Sequence, residues 1–308
     1  MALSITSTYA GEFAGKYIAA ALLSGNTIAK GGIEVRPNVK YKEVIQKVAT
    51  SGLIVDASCD FTSAGNITLT ERVLQPEEFQ VNNEFCLTPF VSSWQSMEMG
   101  YSAYEKIPKS FADFLIAHVA AEVAQKTEQN IWVGDTGNSG EFDGLVTKFK
   151  ADADVSDITG TTVTHSNVIA EMAKVIDACP SAIYGKEDLN LYISQNVAKA
   201  YVRALGGYSI GVGANGIDDR GQMWYSGQAL SVDGVNIFMA EGLTDNQMVL
   251  AQKSNLYFGT GLLNDMNLVK TLDMSDLDGS QNVRVIMRFV AGVQYGFGNE
   301  VVLYDPTV

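Results

Sequence analysis

The sequence predicts an α+β fold, and three stretches carry that prediction. Pro108 to Trp132 reads as one long helix, and Ile33 to Phe90 as strands broken at turn residues. Val283 to Phe297 alternates apolar and polar side chains with the period of a strand that buries one face. A chain of 308 residues is long enough to bury a real core, as one large domain or two modest ones.

Residues 10 to 23 repeat apolar side chains at intervals of three and four: Ala10, Phe13, Ala14, Tyr17, Ile18, Ala21 and Leu22. That spacing predicts a helix with one apolar stripe, stopped by Ser24-Gly25-Asn26. Such a helix docks on its own core or on a neighbouring chain. The next region, IEVRPNVKYKEVIQKVA, GLIVDASCDF, NITLTERVL and EEFQVNNEFCLTPF, reads as strands separated at Ser63-Ala64-Gly65-Asn66 and Pro76. The middle pair flanks the Gly65-Asn66 turn and predicts a hairpin. Thr62, Ser63, Asn66, Thr68, Thr70, Glu71 and Arg72 make it polar on both faces. An isolated two-stranded ribbon is marginal in water, so this one is expected to lie against another molecule.

Pro108 forbids a helix from running in from upstream, and Ser110 with Asp113 three residues on predicts an N-cap. No Gly or Pro follows until Gly134, so a helix of about 22 residues, about 33 Å long, is expected. Phe111, Leu115 and Val119 line one side; Phe114, Ala117, Ala121 and Ala124 line another. A helix so broadly apolar is expected to be packed on two sides. Gly and Asp mark 133–144 as a connection, and the Thr-rich 151–164 reads as loop or edge. Ser166 to Cys179 is a second amphipathic helix, ended by Pro180.

From Ala182 a second lobe is expected. LNLYIS is a strand whose Ser194 caps a helix carrying Val197, Ala198, Tyr201, Val202 and Leu205, closed by Gly206-Gly207. A Gly-rich excursion, Gly211 to Gly221, leads to the strands LSVDGVNIFMA and NQMVLAQKSNLYFGTG. After the long alternating strand, Asn299 makes a turn and Val301 to Tyr304 return.

Composition excludes several functions. A net charge of −14 argues against a nucleic-acid ligand, which needs a basic surface, and against an anionic membrane. The N-terminus lacks the basic region of a signal peptide, and no apolar run is long enough to span a bilayer. Cys59, Cys86 and Cys179 are an odd, sparse set that suits a reducing compartment; Cys59 and Cys86 flank the hairpin and could meet in space. Gly211-Val212-Gly213-Ala214-Asn215-Gly216 matches a dinucleotide-binding pattern, with Asp233 beyond it. It follows no buried strand and opens no helical stripe, so a loop is expected. With only His118 and His165, a histidine triad or multi-histidine metal site is not expected. The acidic runs Asp152-Asp154-Asp157 and Asp273-Asp276-Asp278 miss the spacing of a calcium loop and read as solvated. No catalytic constellation and no cofactor site emerge.

The order of parts then becomes informative: a docking arm, an extended hairpin, a long helix, a second helix, an inserted lobe and a returning C-terminal strand. GNITLTERVLQPEEFQVNNEFC, SFADFLIAHVAAEVAQKTEQNIW and RFVAGVQYGFGNEVVLY resemble major capsid proteins of tailed bacteriophages, those of the crAss-like phages and their relatives above all. The resemblance implies the Hong Kong ninety-seven-like fold, with an N-terminal arm at 1–46 and an extended loop at 47–96. It implies a peripheral domain at 97–182 and 281–308, with its spine helix at 108–132, and an axial domain at 183–280.

The same resemblance implies a non-enzymatic shell subunit without cofactors, assembling with copies of itself as hexamers and pentamers around DNA it does not read. The arm residues Phe13, Tyr17, Ile18 and Leu22 would clamp one neighbour. Leu69, Val73, Leu74 and Phe79 of the hairpin would give another an apolar contact, with Glu71 and Arg72 setting register. A separate scaffold protein, a portal and decoration proteins are the implied partners, the virion is the implied location, and the host cytoplasm is where assembly would occur. The lysine–asparagine cross-link of the type member has no counterpart at the tip Ser63–Asn66, which lacks lysine. An encapsulin-like cage for protein cargo, or a Gly-loop nucleotide-binding enzyme, are the alternatives.

Overall fold

The structure, a computed structural model, describes residues 26–57, 59, 63–86, 109–205, 230–261, 270–274, 277, 279–280 and 282–306. In chain order the elements are α1 (Asn26–Ala29), β1 (Glu34–Arg36), β2 (Glu43–Ser51), β3 (Asn66–Leu74), β4 (Glu77–Cys86), α2 (Lys109–Val133), α3 (Leu145–Lys150) and β5 (Ser156–Thr159). Next come α4 (Val168–Asp177), β6 (Leu189–Ile193), α5 (Gln195–Leu205), β7 (Ser231–Val232), β8 (Val235–Met239), β9 (Met248–Gln252), β10 (Leu256–Thr260), β11 (Lys270–Asp273), β12 (Asn282–Tyr295) and β13 (Val302–Asp305).

The long alternating segment folds as the strand β12, with Val283, Val285, Met287, Ala291, Val293 and Tyr295 buried and Arg288 exposed. It is the spine of one sheet. β4 pairs antiparallel along Asn282 to Ala291, while β11 and β10 occupy its other edge, and β1 adds to β10 in parallel. The second sheet has the order β5-β13-β9-β6-β8-β7. Its central strand β9 is buried on both faces: Met248 and Leu250 meet a cluster with α4 and α5, whereas Val249 and Ala251 face the end of α2. The stretch 246–261, read from sequence as one strand region, therefore serves both sheets. The single helical turn Lys253–Asn255 redirects the chain between β9 and β10. LSVDGVNIFMA likewise breaks into a hairpin, because Asp233 and Gly234 both take positive φ, the geometry of a tight two-residue turn.

Helix α2 spans 25 residues and begins at Lys109, so Ser110 lies inside the helix rather than capping it. In its second half, Val119, Val123, Ala124, Thr127, Glu128, Ile131 and Trp132 are buried, while Ala121, Glu122, Gln125, Lys126 and Gln129 form an exposed strip. Ala121 thus faces water, not the second packed side expected of it. Gly134 ends the helix where a Cβ would stand 2.2 Å from the Phe142 carbonyl, and Gly144 N–H donates to Gly134 O at 2.9 Å to close the connection.

The end of α2 is tied to the segment before β1. Trp132 Nε1 donates to Thr27 Oγ1 at 2.8 Å, and Thr27 N–H donates to the Glu128 carboxylate at 3.1 Å. Tyr192 stands 5.0 Å from the Trp132 ring, and its hydroxyl donates to Gly32 O. Burial pushes the Glu128 carboxyl up, opposed by its hydrogen bonds from Thr27. Glu128→Ala leaves the buried Thr27 N–H without its acceptor. It should lower stability by about 1–3 kcal/mol, read by urea unfolding of the unassembled chain.

Candidate assembly surface

Strands β2 and β3 form a two-stranded antiparallel ribbon separate from both sheets. This corrects the expected hairpin: NITLTERVL pairs with residues 43–51 and not with GLIVDASCDF, whose described residues 52–57 carry no strand. The extended loop expected at 47–96 is also redrawn, because 77–86 belongs to the sheet of β12.

Pairs directly opposite each other share a face. Val44–Val73, Gln46–Glu71, Val48–Leu69 and Thr50–Ile67 lie on one; Glu43–Leu74, Ile45–Arg72, Lys47–Thr70 and Ala49–Thr68 lie on the other. The first is an apolar stripe open to water, with Leu69 73% exposed, Ile67 61%, Val48 55% and Val44 47%. Leu53, Ile54 and Val55, which follow β2 in the chain, are exposed as well. Tyr41, 70% exposed, lies just before β2, whereas Ile169, Tyr184 and Leu277 are exposed far from the ribbon in the sequence. No third strand covers the stripe among the described residues.

The opposite face is bolted to the body at its foot. Leu74 is fully buried, and a Cβ at Gly259 would stand 3.0 Å from it. Arg72 pairs with Asp152, and its guanidinium carbon lies 4.2 Å from the Tyr295 ring centroid. Tyr295 OH donates to Asp152 Oδ2 at 2.6 Å, Asp154 N–H to Oδ1 at 3.1 Å, and Gln294 Nε2 to Val73 O at 2.9 Å. Lys47 sits over Phe297 at 5.3 Å, and Phe79 packs against Phe142 and Phe289. Arg72, Leu74 and Phe79 are therefore engaged by the chain's own body, which withdraws them from the expected contact with a neighbour. Leu69, Glu71 and Val73 point outward. Phe13, Tyr17, Ile18 and Leu22 lie outside the described residues, as do the Gly-rich loop 206–221 and its dinucleotide-like pattern.

Burial opposes ionisation of Asp152, but hydrogen bonds from Tyr295, Asp154 and Arg72 overcome it and lower its carboxyl to about 2. Burial and the Asp152 hydrogen bond push the Tyr295 phenol up. A carboxyl more acidic folded than unfolded stabilises fully above its ordinary value of 3.8 and loses that contribution as pH falls toward about 2. Asp152→Asn should reduce the acid-induced loss of stability in that window, measured by urea unfolding at stepped pH. Glu141, Glu171 and Asp188, also held below the usual carboxylate range by their hydrogen bonds, supply the remainder.

Cys59 and Cys86 are both exposed and are not joined by a disulfide. No group of three or more His, Cys, Asp or Glu among the described residues is placed to hold a metal.

The fold as a whole recurs in solved structures. The capsid of a native GTA particle matches with a TM-score of 0.60 at 10% identity, over 92% of this chain and 89% of that one. The capsid of Myoviridae phage XM1 matches at 0.57 and 13% identity, over 91% of each chain. This chain has the Hong Kong ninety-seven-type capsid fold. A virus-like particle from Pyrococcus furiosus matches at 0.53 and 8% identity, over 96% of this chain and 98% of that one. No protein-family model and no curated protein matches the sequence.

Within this capsid fold the expected boundaries at 182/183 and 280/281 cut across shared packing. Helix α4 and strand β13 bury one cluster with β6, β9 and α5, and β13 pairs directly with β9. Conversely, β10 and β11 belong to the sheet of β12. The helix-flanked sheet and the sheet of β12 are the packing units, and the chain crosses between them repeatedly.

Proposed function

We propose that this chain is a major capsid protein, a structural subunit that assembles as hexamers and pentamers into a closed icosahedral shell around double-stranded phage DNA. The observation that carries the reading is the water-facing apolar stripe of the β2–β3 ribbon, on a body with the capsid fold. A two-stranded ribbon with no cover is poorly stabilised alone, and several exposed apolar side chains on one face, here interrupted by the Gln46–Glu71 pair, mark an interaction site. A neighbouring copy supplies the cover: Val44, Val48, Ile67, Leu69 and Val73 are the contact residues, and Glu71 is the charge among them that sets register. Each contact is modest, but several act on every subunit, so closure is cooperative.

In this reading the helix-flanked sheet, with the Gly-rich 206–221 loop near it in sequence, is the axial domain around the hexamer or pentamer axis. The sheet of β12 with α2 is the peripheral domain. The arm stripe Phe13, Tyr17, Ile18 and Leu22 clamps a second neighbour, from a segment anchored at Thr27. A separate scaffold protein and a portal complete the assembly in the host cytoplasm, and the virion is its destination. An acidic subunit suits such a container, because a wall that does not grip phosphate leaves the packed genome free to move.

Electron microscopy of the whole chain purified from expressing cells tests the reading. Closed shells of uniform diameter are expected. A compact monomer at high concentration contradicts it, and shells from phage-infected cells filled with one protein instead of DNA would favour a cargo cage.

A further inference from the structure

Among the described residues, the ribbon touches the body only at its foot. Beyond the Lys47–Thr70 pair, Val48 to Ser51 and Asn66 to Leu69 are exposed on both faces. A strand of nine residues is about 30 Å long, so a rotation of about 10° at the foot moves the tip by about 5 Å. Beside the Lys47–Phe297 contact and the Gln294–Val73 hydrogen bond, two side chains of β3 anchor the foot on one face: Leu74, buried against Gly259, and Arg72, held between Asp152 and the Tyr295 ring. A single plug at Leu74 permits rotation; a second attachment two residues away defines a direction.

The second attachment carries a cost that points to geometry. Arg72 Nε is buried without a hydrogen-bond partner, although the guanidinium has its ion pair. A hydrocarbon side chain would fill the same place without an unpaired donor, so a buried charge here is weak as a device for stability alone. Its fixed planar fork, pressed on a ring and paired with a carboxylate that is itself held by Tyr295 and Asp154, determines orientation.

We infer that the Arg72–Asp152–Tyr295 clamp sets the angle at which the ribbon leaves the body and, through that angle, the curvature at which neighbouring subunits join. The inference rests on the capsid reading, in which the ribbon lies on the adjacent copy. Arg72 is a positioning residue for assembly, and the interface itself is formed by the other face.

Arg72→Met keeps the hydrocarbon stem and removes the charge, and Asp152→Asn removes the counter-charge while leaving every apolar contact in place. Particles of parent and variants are compared for diameter by electron microscopy, and the dissociated chains for thermal unfolding. The expected result is that Arg72→Met unfolds within a few degrees of the parent and Asp152→Asn at a lower temperature, since it gives up a carboxylate that stabilises at neutral pH, while both lose uniform closed shells and give a broad spread of diameters or open sheets. The charge reversal Arg72→Asp with Asp152→Arg should narrow the spread again. Shells of parental diameter and uniformity from Arg72→Met overturn the clamp alone; should that variant unfold, the same outcome from Asp152→Asn does so. A parent chain that stays a compact monomer at high concentration, forming neither shells nor hexamers and pentamers, overturns the clamp and the capsid reading together.

Discussion

A chain carrying Val48→Asp and Leu69→Asp is expected to fold and to stay unassembled. The two residues are a directly opposed pair on the outward face of the ribbon, and each is more than half exposed. Neither contributes to a buried cluster, so the body should unfold within about 1 kcal/mol of the parent, the residual loss coming from two like charges placed opposite each other. In a shell the same side chains are covered by a neighbour, and burying a carboxylate without a partner costs several kcal/mol. At about 1.4 kcal/mol per tenfold, a penalty of about 3 kcal/mol weakens each contact roughly a hundredfold, and every subunit suffers it. Sedimentation velocity should show a single slow species with parental circular dichroism.

Trp132→Ala should have the largest effect on the fold itself. The ring is completely buried at the end of α2, 5.0 Å from Tyr192, in the cluster that joins the helix to both sheets. Removing a fully buried Trp leaves a cavity and costs about 3–5 kcal/mol. The loss also frees Thr27 Oγ1 from its donor and loosens the segment that leads back toward the arm. A domain whose whole stability is about 5–15 kcal/mol tolerates this poorly, so the variant should be recovered in low yield and unfold at much lower urea. Trp132→Phe keeps the aromatic contact and loses the hydrogen bond, and should cost about 1–2 kcal/mol.

Much of the fold was legible because its longest elements have unambiguous patterns. Helix α2 lies within one residue of its expected ends, since no Gly or Pro interrupts 109–133. Strand β12 shows its buried face residue by residue, because one side of it meets a core and the other does not. Pairing between segments stayed hidden. Residues 43–51 lie far from 66–74 in sequence for a hairpin, so the nearer Gly65-Asn66 signal suggested the wrong partner for β3. Likewise, nothing local announces that β9 and β10 part at Lys253–Asn255 into different sheets.

The assembly surface was legible in outline only. Leu69 and Val73 face outward, whereas Leu74 one position on points into the body, as the period of two requires once the register is known. Val44, Val48 and Ile67 went unremarked because their strand was paired wrongly. Arg72 looked like a surface charge, and Asp152 like part of a solvated acidic run. Their union under Tyr295 spans elements about eighty and more than two hundred residues apart in the chain, a contact that only the fold creates.

Hydroxyl-radical footprinting of the ribbon, in assembled particles and in the dissociated chain, tests the central claim most directly. Oxidation of Val48, Ile67 and Leu69 should fall at least severalfold on assembly, while the already buried Leu74 changes little. Equal oxidation of those three side chains in both states would contradict the account, because the stripe would then stay open to water in the finished particle.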